Sequence, residues 1–121
     1  MYKDFKFSKR MELINQAKKD KKKYIGCDQL FDTTISNAYL KLKGVPYRQL
    51  RIVVKAKSMK EANEICETNN LDVKFKSGWC SETGNKATIE LCNKSEIGIV
   101  IGPITGTADK YVTYEEIQKV L

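Results

Sequence analysis

The side chains best suited to chemistry gather in one stretch, Phe75-Lys76-Ser77-Gly78-Trp79-Cys80-Ser81-Glu82-Thr83-Gly84-Asn85-Lys86, which holds the chain's one tryptophan. An aromatic in a glycine-flanked loop can stack on a purine, an Asn can read a base edge, and Lys or Arg can pair with phosphate. The competing reading folds Trp79 back to plug the end of a sheet. Arg48 and Arg51, two of only three arginines, flank the start of an apolar run. Arginine makes the bidentate phosphate contacts that lysine cannot, although a surface arginine beside a strand end is the plainer role. The segment Gly102-Pro103-Ile104-Thr105-Gly106-Thr107 offers backbone N–H groups and the hydroxyls of Thr105 and Thr107 to a small ligand. It lacks the Lys-Ser/Thr ending of a phosphate-binding loop and has a proline at its second position, so an ordinary turn is its alternative.

Other chemistries are excluded or weakened by composition. The 121 residues include no histidine, which removes Ser–His and Cys–His pairs and histidine-ligated zinc. Cys27, Cys66, Cys80 and Cys92 form no Cys-x-x-Cys pair, and reduced, mostly buried thiols are the expected state. No carboxylate sits in an apolar stretch where burial would raise its pKa for acid–base work. The expectation is therefore a binding protein and not an enzyme, with no catalytic residue, no metal and no cofactor. The formal charge is +7, and the excess lies wholly in the first half: residues 1–51 carry 13 Lys/Arg against 5 Asp/Glu. Its densest part, Lys18, Lys19, Lys21, Lys22 and Lys23, attracts phosphate or serves as a solvated helix end.

Those groups need a scaffold, and 121 residues suffice for one domain with one core. A helical part is expected over 1–44 and an α/β ligand-binding part over 45–121. Ser8 caps a helix to about Lys22, Lys23–Cys27 is a break at Gly26, and Asp28 opens a second helix that Gly44 stops. Leu50–Ala56 reads as an inner strand, and Ser58-Met59-Lys60-Glu61 as the capping box of a helix to about Thr68, resembling the start of a βαβ unit. Alternation of Leu71, Val73 and Phe75, and again of Ala87, Ile89 and Leu91, predicts two further strands. Glu96–Ile101 is another strand, and Thr113-Tyr114-Glu115-Glu116 caps a C-terminal helix. The predicted fold is α+β in the order ααβαβββα, a helical hairpin beside a mixed sheet of about four strands with two flanking helices. No apolar run approaches the ~20 residues of a membrane helix, and MYKDFKFSKR has no signal-peptide pattern, so the cytoplasm is the expected compartment.

From Arg51-Ile52-Val53-Val54 through the Ser58–Glu64 helix, Phe75–Asn85 and Gly98–Gly106, the element order resembles the phage anti-Thoeris proteins that sequester cyclic ADP-ribose signals. The family holds its ligand with an aromatic and an Asn ten residues later, a spacing that Phe75 and Asn85 share, with Arg51 upstream. Its second, C-terminal arginine has no counterpart, since residue 102 is Gly and Lys110 is the nearest basic residue. The resemblance, which covers roughly residues 50–107, implies a sponge in a host bacterial cell. Such a protein binds a cyclic ADP-ribose isomer made by a TIR-domain enzyme without hydrolysing it, and homo-oligomers with pockets between subunits are expected. A small basic nucleic-acid-binding protein of phage or mobile-element origin, using the Lys18–Lys23 cluster with Lys41, Lys43 and Arg48, is the alternative.

Overall fold

The computed structural model describes residues 24–76, 79–80, 86–105 and 108–121. The helix expected over 8–22, the Lys18–Lys23 cluster, Asn85 and Thr107 lie outside the described residues. The apolar run around Ile52 forms the central strand β2 (Gln49–Lys55). It is flanked by β1 (Tyr24–Leu30), paired along its whole length, and by β4 (Ile99–Pro103). Two-residue strands β3 (Trp79–Cys80) and β5 (Val112–Thr113) close the sheet, whose order is β3-β1-β2-β4-β5. Every pairing is antiparallel. The α+β class is as expected. The sheet, however, is antiparallel and five-stranded, and the strand–helix start expected from residue 50 leads into β3, which runs parallel to β2 with β1 between them.

The helices carry their caps in their sequences. In α1 (Thr33–Lys43) the Asp32 side chain accepts from the Ile35 N–H at 3.1 Å, and Gly44, at φ 73°, turns the chain out. In α2 (Met59–Thr68) the Ser58 hydroxyl accepts from the Glu61 N–H, and the Glu61 carboxylate reaches back to the Lys57 N–H. The C-terminal helix α4 (Tyr114–Gln118) is capped by Thr113, whose hydroxyl accepts from the Glu116 N–H.

Four local expectations are corrected. Of the break expected over Lys23–Cys27, Tyr24–Cys27 belong to strand β1, because Tyr24, Ile25 and Cys27 are buried and the strand finds a full partner in β2. The helix expected from Asp28 starts at Thr33 for the same reason. The strand expected over Ala87–Leu91 is helix α3 (Lys86–Lys94), which buries Thr88 and Cys92, one turn apart. Leu71–Phe75 joins no ladder among the described residues. The Val73 N–H donates to the Leu71 carbonyl at 2.8 Å, closing a tight turn, and Asn63 fixes the end of the segment: its amide donates to the Phe75 carbonyl at 3.1 Å and accepts from its N–H at 2.6 Å.

The main core lies on one face of the sheet. Leu50, Ile52, Val54, Ile99 and Ile101 pack there with Ala38 and Tyr39 of α1, Cys66 of α2, Phe75, and Ile117 of α4. Each fully buried aliphatic side chain contributes about 1.5–3 kcal/mol. A smaller cluster on the other face joins Tyr24, Val53 and Val100 to Cys92, Ile89 and Leu91 of α3 and to Tyr111. Among the described residues no helix is long and apolar enough to cross a membrane.

Candidate ligand-binding site

Strand alternation sends Arg51 and Val53 of β2 to the face that carries α3, together with Asp28 of β1 and Gly102 of β4. The register then sets Asp28, Arg51 and Gly102 side by side across three strands. Within this row Arg51 Nε donates to Asp28 Oδ1 at 2.8 Å, and the two side chains keep 31% and 41% of their surface exposed. Gly102 is required by what lies above it. A Cβ there would meet the Tyr111 ring at 2.5 Å, so the missing side chain lets the ring lie on the sheet beside Arg51.

The electrostatics of the row follow from this geometry. Partial burial works to lower the Arg51 pKa, but the hydrogen bond and charge of Asp28, with help from Tyr111, outweigh it and hold it above its ordinary value. Burial pushes the Tyr111 phenol up, while the adjacent guanidinium pulls it back. The Tyr111 hydroxyl also donates to the Pro103 carbonyl at 3.3 Å. A guanidinium fixed by a carboxylate through Nε and backed by a buried aromatic ring is oriented to present its remaining N–H donors to an anion.

The residues singled out from the sequence divide into groups. Leu50 pairs with Pro103, so the start of β2 and the end of β4 lie at one end of the sheet. Arg48, exposed just before β2, and Thr105, exposed two residues after β4, are therefore brought to the end nearest Arg51. Trp79 sits on edge strand β3, opposite Gly26. Phe75 is separated from Arg51: its side chain is 3% exposed and belongs to the core on the opposite face. Its ring is a packing element here, not a surface for stacking a ligand, which corrects the role implied by the family spacing.

Asp28 and Tyr111 were not found by sequence reasoning. Asp28 reads as a helix opener, and nothing near Tyr111 signals a partner sixty residues upstream. Only the register joins them. The thiols are elsewhere: Cys27, Cys66 and Cys92 are free and buried, with burial pushing Cys66 and Cys92 up to about 12. They are protonated packing groups at neutral pH. Among the described residues no cluster of three or more His, Cys, Asp or Glu could hold a metal ion. Comparison of the chain with protein-family models, with curated proteins and with solved structures finds no match.

Proposed function

We propose that this protein is a non-catalytic binding protein that captures a small phosphate-bearing ligand at Arg51, with Arg48 and Thr105 at the rim. The observation that carries the reading is the oriented, half-exposed Arg51 guanidinium between Asp28 and Tyr111. An arginine placed this way supplies charge-assisted hydrogen bonds to phosphate, roughly twice as strong as neutral ones. The family resemblance narrows the ligand to a cyclic ADP-ribose isomer, held and kept from its effector without hydrolysis. The homo-oligomer implied by that resemblance is part of the same proposal.

The test is a thermal-shift screen with cyclic ADP-ribose isomers, cyclic dinucleotides and short DNA, because a ligand that binds the folded state raises its melting temperature. A cyclic ADP-ribose isomer is expected to stabilise the protein, to lose that effect in Arg51→Gln, and to be recovered intact after denaturation. Conversion of the ligand would make the protein an enzyme. Stabilisation by DNA alone, fading steeply with salt through counterion release, would establish the nucleic-acid reading instead.

A further inference from the structure

We infer that the Arg51 site continues along the same sheet face onto Asp28, Leu30 and Gln49, and that this surface holds a ribonucleotide unit. The inference rests on Arg51 being the phosphate contact. Asp28 and Leu30 alternate on β1 and so share a face, and the register sets Asp28 against Arg51 and Leu30 against Gln49. The four residues occupy two adjoining rows, roughly 7 Å apart along the strand and 5 Å apart between strands. Leu30 is 74% exposed, the most open large apolar side chain described, and Gln49 beside it is also exposed.

Each part of a ribonucleotide has a chemical match on this surface. Arg51 donates to the phosphate. An ionised carboxylate only accepts, so Asp28 suits the vicinal hydroxyls of a ribose, which no guanidinium can receive as donors. The Gln49 amide both donates and accepts, as the edge of a base requires, and Leu30 gives the base an apolar surface to lie on. Folding supplies little reason for the arrangement, since an exposed ion pair contributes at most about 1 kcal/mol to stability. An exposed leucine alone would mean nothing. Its place one pleat from an oriented Arg–Asp pair is what defines the site.

Isothermal titration calorimetry with 5′-AMP, 2′-deoxy-5′-AMP and pyrophosphate tests this on the wild-type chain and on Asp28→Asn, Leu30→Ser and Arg51→Gln, each checked for folding by circular dichroism. The expected result is 5′-AMP binding about tenfold more tightly than its deoxy analogue, the worth of one well-made hydrogen bond. Asp28→Asn, which trades the charged acceptor for a weaker neutral one, should reduce that ratio, and Leu30→Ser should weaken both nucleotides while leaving pyrophosphate unchanged. If Arg51→Gln abolishes pyrophosphate binding but the two nucleotides bind alike and Leu30→Ser changes nothing, Arg51 remains the phosphate contact and the extended site is wrong. If no phosphate compound binds the wild-type chain, both the Arg51 reading and this inference fall.

Discussion

Gly102→Ala is the sharpest probe of how the site is built. The new Cβ would lie 2.5, 2.6 and 2.7 Å from three ring atoms of Tyr111. Carbon atoms pack comfortably at about 3.5–4.0 Å, so the ring must withdraw by about 1 Å. It is 9% exposed and packed against Val53, Val100 and Cys92, so withdrawal overpacks that cluster. Such strain costs about 1–3 kcal/mol. Loss of glycine's freedom in the unfolded chain offsets about 0.4–1 kcal/mol, leaving a net loss of up to about 2.6 kcal/mol, and of about 1–2 kcal/mol away from the extremes of both ranges. For 121 residues the unfolding entropy makes this a fall in melting temperature of about 4–8 °C. Urea unfolding followed by circular dichroism measures it. Repeating the substitution in a Tyr111→Val background isolates the cause: with the ring gone, Gly102→Ala should become neutral or slightly stabilising. Equal effects in both backgrounds would refute the stacked arrangement of Tyr111 on Gly102.

Two further outcomes follow from buried polar groups. The Tyr39 hydroxyl donates to the Lys110 carbonyl at 2.5 Å, and burial raises its pKa from 10.0 to about 12. A phenol harder to ionise in the folded state stabilises fully below pH 10, and this contribution disappears as pH rises from 10 to about 12. Stability measured by urea unfolding should fall across that window, where buried Cys66 and Cys92 contribute in the same direction, and Tyr39→Phe should lessen the fall; an unchanged slope would show that Tyr39 has no part in it. Thr88 on α3 is 4% exposed and its hydroxyl has no hydrogen-bond partner among the described residues. Thr88→Val removes an unsatisfied group at nearly constant volume and should stabilise by up to about 1 kcal/mol, whereas a loss above 1 kcal/mol in chemical denaturation would show that the hydroxyl is bonded.

Signals carried by neighbouring residues were legible from the chain alone. Strand β2, the Ser58 and Thr113 caps and the Gly44 stop each depend on side chains within a few positions of one another, so local chemistry suffices to place them. Local patterns misled where two periods coexist. Ala87, Ile89 and Leu91 alternate as in a strand, yet Thr88 and Cys92 are the residues that packing buries, one helical turn apart. Leu71, Val73 and Phe75 alternate as in a strand, yet the segment turns at Asp72 and joins no ladder among the described residues, and the Asn63 side chain bonds the Phe75 backbone instead.

What the amino-acid order determined by itself is therefore the class of the fold, its central strand and the helices capped by Ser58 and Thr113. Tertiary structure alone decided that Tyr24–Cys27 enters the sheet within β1, that Phe75 turns into the core, and that Asp28 and Tyr111 meet at Arg51. The physical reason is one of distance along the chain. Asp28 lies 23 positions from Arg51, and the hydrogen bond between them exists only because β1 and β2 pair in one register. A shift of that register by one residue would send Asp28 to the opposite face, and no property of either side chain in isolation records which alignment the buried faces select.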